Sequence, residues 1–239
     1  MRIALIGYGK MGQMIEELAI SKGHEIVLRI GIENLADFTT DNLSKADVAI
    51  EFTAPESAFK NVIKCLESGV PVVSGSTGWN NRMEEAIAFC QEKHGSFIHS
   101  SNYSIGVNLF FEMNKQLARL MASHPEYDVS IREIHHTQKK DAPSGTAVTL
   151  AEQVIAHLPR KTAWTLGESK ELSALSISAE RIDPAPGTHH VKYTSDIDDI
   201  EIIHTAHNRK GFALGAILAA EFIAGKKGVF TMSDVLANT

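Results

Sequence analysis

The residues best suited to chemistry lie between Glu133 and Ala147, where two adjacent histidines are followed by two adjacent lysines. The imidazoles of His135 and His136 can exchange protons near neutral pH, and the ammonium of Lys139 can hold an anion. Each pair alone is typical of a solvated surface. Their spacing over a few residues favours proton transfer to a bound anion, provided that the following elements supply a site for one.

The turn after the lysines predicts such a site at the start of a helix. Pro143 restricts φ, and Ser144 is a favourable N-cap residue. Apolar residues then recur at helical spacing, at Val148, Ala151, Val154, Ile155 and Leu158. The backbone N–H groups of Gly145 and Thr146 would lie in the first turn, at the positive end of the helix dipole, where anions bind. The stretch therefore predicts reduction or acyl chemistry on a small carboxylate.

A hydrolase that uses Ser144 and His135 is the alternative within the same stretch. The serine of many hydrolases lies in a Gly-x-Ser-x-Gly turn, and no such turn surrounds Ser144. We therefore favour the reductive interpretation.

Composition excludes several other classes of protein. The chain has 239 residues, 44% of them hydrophobic and 22% charged, as expected of a globular protein with a substantial core. Its net charge of −6 argues against nucleic-acid binding. Cys65 and Cys90 lack the spacing of a metal site and predict buried thiols. No signal peptide or membrane span is evident. We expect a cytoplasmic enzyme without a metal.

A glycine-rich loop follows the first predicted strand. Residues 2–6 form a short apolar run, Gly7-Tyr8-Gly9-Lys10-Met11-Gly12 comes next, and a helical pattern and a second strand follow. In a strand–loop–helix unit, the first glycine permits the tight turn, the second lets the backbone approach a pyrophosphate, and the third allows close packing. A purely structural glycine loop is the alternative, but this context favours a dinucleotide site that includes Tyr8, Lys10 and Met11.

The adenosine end of that site is less regular. An acidic residue is expected at the end of the second strand to bind the ribose hydroxyls. Gly31 occupies that place, and Glu33 follows two residues later. Lys10 and Arg29 could instead meet a 2′-phosphate. The sequence therefore leaves NADH and NADPH open.

Three further strands end in polar turns, at residues 53–55, 75–78 and 100–103. Because ligands bind beyond the carboxyl ends of the strands in an open parallel sheet, these turns should form one rim with the glycine loop. The predicted cofactor contacts on the rim are Gly75, Ser76, Thr77, Ser100, Ser101, Asn102 and Tyr103. The ring of Tyr103 could pack against a nicotinamide.

The pattern changes after residue 104, where strands begin to follow one another without intervening helices. We therefore predict an α/β protein with a Rossmann-like parallel sheet in one domain and a mainly antiparallel sheet in a second, α+β domain. The dinucleotide-binding domain should comprise residues 1–104 and 209–239, because the last helix can return to it. The second domain, which contains the predicted anion site and should therefore bind the substrate, should comprise residues 105–208.

The whole chain closely resembles the 4-hydroxy-tetrahydrodipicolinate reductase family, also called dihydrodipicolinate reductase. The stretch from Glu133 to Ala147 matches the family's E-x-H-H-x-x-K-x-D-A-P-S-G-T-A pattern at every fixed position. Further matches lie at residues 52–53, 75–78, 102–108 and 204–213. Gly31 departs from the acidic residue that such proteins often carry.

The resemblance implies the roles of individual residues. It implies that NADH or NADPH reduces a small cyclic dicarboxylate in the diaminopimelate route to lysine. His135 and Lys139 would be the proton-donating pair, and His136, Gly145 and Thr146 would bind the substrate. It also implies a homotetramer with the second domain's sheet at the interface. The alternatives are another two-domain NAD(P)-dependent dehydrogenase and a non-enzymatic dinucleotide sensor.

Overall fold

The computed structural model describes residues 1–238 and divides into two compact units. The first comprises Met1–Ile105 and the chain from Lys210 onward, and the second comprises Gly106–Arg209. Among the described residues, no helix combines the length and hydropathy that crossing a bilayer requires.

The first unit is a parallel sheet with helices on both faces. Its strands are β1 (Arg2–Ile6), β2 (Glu25–Ile30), β3 (Val48–Glu51), β4 (Val72–Ser74), β5 (Ser96–His99) and β11 (Gly228–Phe230), in the order β11-β5-β4-β3-β1-β2. Its helices are α1 (Lys10–Ser21), α2 (Thr40–Leu43), α3 (Pro55–Glu67), α4 (Met83–Glu92), α7 (Lys210–Ile223) and α8 (Met232–Leu236). Two 3-10 helices cover Ile32–Asp37 and Asn80–Arg82. All five strand pairs are parallel, which confirms the predicted Rossmann-like architecture.

Apolar layers cover both faces of this sheet, which explains the non-alternating strand sequences. One layer contains Ile3 and Leu5 with α1 and α7, and the other contains Ala4 and Ile6 with α3 and α4. Helix α7, which follows the second unit along the chain, thus packs in the core of the first unit. Cys65 and Cys90 are buried free thiols on α3 and α4, as their spacing predicted.

The second unit has one five-stranded sheet and two helices. The helices are α5 (Ile105–Met121) and α6 (Gly145–His157). The strands are β6 (Asp128–His135), β7 (Ala163–Leu166), β8 (Ala174–Arg181), β9 (Gly187–Thr194) and β10 (Asp199–Ala206), in the order β10-β9-β6-β8-β7. Alternate residues of the inner strands are buried against the two helices, among them Val129, Ile131, Ile177 and Val191.

The expected mainly antiparallel sheet is in fact mixed. The β10–β9 and β9–β6 pairs are antiparallel, whereas the β6–β8 and β8–β7 pairs are parallel. The difference arises because α6 connects β6 to the edge strand β7, and such a crossover returns the chain in the same direction. The elements β7, β11 and α8 were not predicted, because they are short.

Candidate active site

The glycine loop between β1 and α1 has the geometry that a dinucleotide requires. Gly7 has φ +99°, and a Cβ added there would lie 1.9 Å from the carbonyl oxygen of Phe52. A Cβ on Gly12 would lie 2.3 Å from the carbonyl oxygen of Gly7. Gly9, in contrast, faces open space and caps α1 without a side-chain hydrogen bond. The helix start is thus accessible to a phosphate, so the residues fit a dinucleotide.

A cavity of about 690 Å³ adjoins this loop within the first unit. Its walls are the glycine loop, the end of β2, the first 3-10 helix and the turn after β3. Ile32 and Leu35 of the 3-10 helix line it although they are 91% and 63% exposed. Exposed apolar side chains in a cavity wall suit a flat adenine ring. This short helix was not predicted, because its six residues show no helical periodicity.

Arg29, one of the two residues that could meet a 2′-phosphate, is already paired with a carboxylate of the protein. Its Nε lies 2.8 Å from Oε1 of Glu16, and Nη2 contacts the same oxygen. The hydroxyl of Tyr8 donates to the other carboxylate oxygen of Glu16. The hydrogen bond from Arg29 is the main reason that the pKa of Glu16 is lowered. The positive charge of Arg29 is therefore largely neutralised, while Lys10 is exposed.

The backbone conformation at position 31 does not require a glycine. Its φ is −114°, and an added Cβ would make only ordinary contacts, 3.7 Å from Oδ1 of Asn34. The Asn34 oxygen accepts a hydrogen bond from the Gly31 N–H at 2.7 Å. Glu33 lines the cavity and is exposed. The carboxylate available in the cavity wall is therefore that of Glu33, two residues after the expected place.

A buried carboxylate organises the rim beyond β3 and β4. Glu51 is fully buried and accepts hydrogen bonds from Thr53 N at 3.0 Å, from Ser76 Oγ at 2.8 Å and from Ser74 Oγ at 2.6 Å. The Ser76 hydroxyl is consequently used inside the protein and is not available to a cofactor. An added Cβ on Gly75 would lie 2.2 Å from the Phe52 ring, so this glycine permits close packing. Thr77 remains exposed.

The stacking role expected for Tyr103 is wrong. Its side chain is 1% exposed, and its hydroxyl donates to the carbonyl oxygens of Ser74 and Ile98 at 2.8 and 3.2 Å. The ring belongs to the core that includes residues of α7, and this helix approaches the Tyr103 backbone closely: a Cβ added at Gly215 would lie 1.7 Å from the Tyr103 carbonyl oxygen. Of its neighbours, Ser100 bonds to Asn102, and Ser101 is exposed. Met11, in the glycine loop, also packs on this core.

In the second unit, the end of β6 lies against the start of α6. Ser144 caps α6, and its Oγ accepts from Ala147 N at 3.2 Å, as predicted from the sequence. The Ser144 N–H lies 3.1 Å from both carboxylate oxygens of Glu133. Gly145 is exposed, and nothing lies within 4 Å of a Cβ added there. The first turn of α6 is therefore open to a ligand at Gly145, next to Thr146.

His135, the last residue of β6, is buried beside charged groups. Its Nδ1 lies 3.7 Å from Oε2 of Glu133, and its ring centroid lies 5.0 Å from that of His189. An added Cβ on Gly187 would come within 3.1 Å of His135 Nε2, so the glycine leaves room for the imidazole. Burial, followed by the charge of His189, lowers the pKa of His135 to about 4. In the free protein the imidazole is therefore neutral at pH 7.

The loop after β6 carries the other candidate residues. The ammonium of Lys139 lies 2.8 Å from Oδ2 of Asp141, and its charge acts on His135 to lower that pKa further. His136 is half-buried, and its charge lowers the pKa of Asp183 after the hydrogen bonds from Thr137. His135 at the end of β6 and His136 and Lys139 in the following loop thus lie on the segment that leads to the α6 start.

Two further side chains complete this region, the buried His189 and the half-buried Arg181, and neither was predicted from the sequence. Arg181, at the end of β8, contacts Glu133, and His189, on β9, exchanges a hydrogen bond with Ser144 Oγ at 3.1 Å. Both lie more than 30 positions beyond the motif along the chain, so only strand pairing could have revealed them. Glu133, His135 and His189 are close enough to bind a metal together. Ser144 and Arg181 already occupy both carboxylate oxygens, which disfavours a cation there.

Comparisons with known proteins identify the family. Residues 1–103 match the dihydrodipicolinate reductase N-terminus, and residues 106–236 match its C-terminus. A 4-hydroxy-tetrahydrodipicolinate reductase of Christiangramia forsetii is 48% identical over 100% of this chain and 98% of its own length. One from Neisseria gonorrhoeae is 35% identical over 92% of this chain and 83% of its own length.

A solved structure shows the same fold. The dipicolinate-bound dihydrodipicolinate reductase from Paenisporosarcina sp. TG-14 superimposes with a TM-score of 0.78 at 23% identity, over 96% of this chain and 97% of that one. Both halves of the family are matched in order along the chain, and the full-length relatives exceed 30% identity. The chain therefore belongs to the dihydrodipicolinate reductase family.

Proposed function

We propose that this chain reduces 4-hydroxy-tetrahydrodipicolinate to tetrahydrodipicolinate with NADH or NADPH. The observation that carries the proposal is the arrangement at the end of β6. There Glu133 contacts both His135 and the start of α6, and Lys139 lies in the loop that joins β6 to the open first turn of that helix. A dianionic substrate needs an anion site and a proton source together, and this part of the second unit offers both.

The substrate's carboxylates would be bound by two kinds of group. The backbone N–H groups of Gly145 and Thr146 lie at the positive end of α6, where a carboxylate is stabilised by the helix dipole. Lys139 supplies a full positive charge, and His136 contributes an imidazole from the same loop. We assign these residues to substrate binding and Lys139 also to proton transfer.

The reaction transfers a hydride and a proton to the substrate and releases one water. The nicotinamide cofactor supplies the hydride when bound. His135 and Lys139 handle the proton, because the reduced centre gains electron density that must be neutralised. His135 is neutral in the free protein, so it needs the negative charge of the substrate nearby before it holds a second proton.

The first unit would hold the cofactor. Gly9 leaves the start of α1 open to the pyrophosphate, and Gly7 and Gly12 permit the close packing that shapes the loop. Ile32 and Leu35 provide an apolar wall for adenine, and Glu33 is the available acid for the ribose. On the rim, the exposed Thr77 and Ser101 and the half-buried Asn102 remain candidate contacts for the nicotinamide side.

The alternatives are less well supported. Another two-domain dehydrogenase would share the glycine loop, but family membership rests on both halves of the chain. A dinucleotide sensor would have no use for a buried imidazole near a lysine in a separate unit. We also propose that the protein is cytoplasmic and forms a homotetramer. Sedimentation velocity of the purified protein can test the number of subunits.

The direct test couples the protein to the enzyme that forms the substrate. The assay contains aspartate semialdehyde, pyruvate, the condensing synthase and NADH or NADPH, and follows the loss of absorbance of the reduced cofactor. We expect oxidation that depends on both the synthase and this protein. Absence of oxidation with either cofactor, while cofactor binding is retained, would favour the sensor.

A further inference from the structure

Glu133 is a buried carboxylate whose partners all belong to the candidate substrate site. It is completely inaccessible to solvent. Its oxygens accept from Ser144 N at 3.1 Å, lie 3.6 Å from Nε2 of His189 and lie 3.7 Å from Nδ1 of His135. Burial opposes its ionisation, but the contacts with His189 and Ser144 outweigh this and lower the pKa of Glu133 to about 2. The carboxylate is therefore a fixed negative charge behind His135.

Arg181 connects that carboxylate to the loop that carries Lys139. Its Nη1 and Nη2 each lie 3.3 Å from Oε1 of Glu133. The same guanidinium donates to the carbonyl oxygens of Asp141 at 2.6 Å and Lys139 at 3.3 Å, and to its neighbour Glu180 at 2.8 Å. One side chain thus ties the loop to the end of β6.

We propose that Glu133 and Arg181 are positioning residues for the proposed reduction, on which this inference rests. Together they fix His135, the backbone of the Lys139 loop and the start of α6 relative to one another. The carboxylate faces Nδ1 of His135, so it favours a proton on that nitrogen and leaves Nε2 to exchange a proton with the substrate.

A purely structural role for Glu133 and Arg181 accounts less well for this ion pair. A buried ion pair contributes little net stability compared with a well-packed apolar pair, because desolvation of both charges opposes it. The planar fork of arginine is needed here because three backbone carbonyls and a carboxylate lie around it. A lysine would keep the charge but could not bridge the loop to Glu133.

The test uses three variants of the full-length protein. Arg181→Lys and Glu133→Gln each disturb the connection, and Arg132→Gln is the matched control. Arg132 forms an exposed ion pair with Glu180 between the same two strands, β6 and β8, at 2.6 Å. The measurements are kcat, the KM for the substrate, the Kd for NADH by fluorescence, the melting temperature, and the imidazole nitrogen shifts of His135 by NMR.

We expect Arg181→Lys and Glu133→Gln to lower kcat by about 100-fold, the effect of a misplaced reacting group, with the Kd for NADH unchanged. The His135 nitrogen shifts should move toward the other tautomer in Glu133→Gln, and Arg132→Gln should match the wild type. Unchanged kcat in Arg181→Lys with only a lower melting temperature would overturn the proposal.

Two outcomes separate this inference from the proposed function. A wild type without reductase activity would reject the function. The His135 nitrogen shifts would then still test whether Glu133 and Arg181 position the imidazole. Identical shifts in the wild type and both variants would reject that role. If Glu133→Gln does not fold, Arg181→Lys decides alone.

Discussion

The ammonium of Lys139 lies 2.8 Å from Oδ2 and 2.9 Å from Oδ1 of Asp141, two residues further along the same loop. The lysine that we expect to bind the substrate is therefore already paired with a carboxylate of the protein. A substrate carboxylate that binds Lys139 therefore competes with Asp141 for the charge of the ammonium.

Asp141→Asn should therefore strengthen substrate binding. Asp141 is 60% exposed, and an exposed ion pair is worth at most about 1 kcal/mol, so we expect the KM to fall by up to about fivefold. The difference between variant and wild type should shrink at high salt, because screening weakens the pair. An unchanged or higher KM at low salt would show that Asp141 does not compete with the substrate.

His135→Gln and Lys139→Ala should each lower kcat by at least about 100-fold, the usual contribution of a positioned acid. Binding of NADH, measured by fluorescence, should change little, because both residues lie in the second unit and the glycine loop lies in the first. Lys140→Ala is the matched control, since Lys140 is the exposed neighbour of Lys139. Wild-type turnover in either test variant would remove that residue from proton transfer.

Glu16→Gln should shift cofactor preference toward NADPH. The variant removes the charge that neutralises Arg29, which lines the cavity beside the glycine loop. Arg29 could then bind a 2′-phosphate, worth on the order of 1 kcal/mol at this exposed site, or about fivefold in the ratio of the two Kd values. Glu17→Gln removes the same charge from the next, exposed position of α1 and should leave the ratio unchanged. An unchanged ratio in Glu16→Gln would argue that Arg29 does not reach the cofactor.

The parts of the site that could be predicted are those that local sequence determines. The glycine loop and the Ser144 cap depend on residues within one turn of the chain, and both were predicted correctly. Tyr103 was misassigned because it is buried in a core that includes α7, more than 100 residues away along the chain. Arg181 and His189 were missed for the same reason, since strand pairing brings them to Glu133. The parallel pairing of β8 with β6 could not be predicted for a similar reason, because the sequence does not show that α6 crosses over to the edge of the sheet.

Acid should destabilise the protein in two successive ranges of pH. The pKa of His135 is lowered from 6.5 to about 4 on folding, so its contribution is complete above 6.5 and is lost as the pH falls toward 4. The pKa of Glu133 is lowered from 4.5 to about 2, so its contribution is lost between those values. Each contribution is on the order of 3 kcal/mol.

Urea denaturation at several pH values can check the first range. His135→Asn should lose less unfolding free energy than the wild type between pH 6.5 and 4, because it lacks the titrating imidazole. His124→Asn, which removes an exposed histidine of the same unit, should follow the wild type. Parallel curves for His135→Asn and the wild type would contradict the lowered pKa.

Substrate binding should itself protonate His135. The charged or titratable groups that act on this imidazole are Glu133, His189, Lys139 and Arg181. A substrate carboxylate at about 4 Å would add roughly 4 kcal/mol of attraction for the imidazolium at an effective dielectric constant of about 20. Because about 1.4 kcal/mol changes a pKa by one, this is enough to bring the pKa of His135 from about 4 close to neutrality.

Calorimetry with pyridine-2,6-dicarboxylate, a planar diacid, measures this uptake directly. Titrations at pH 7 in two buffers of different ionisation enthalpy give the number of protons taken up for each ligand bound. We expect a substantial fraction of one proton in the wild type and in His124→Asn, and close to none in His135→Gln. Tight binding without proton uptake in the wild type would leave Lys139 as the sole proton donor, because a neutral His135 has no second proton to give.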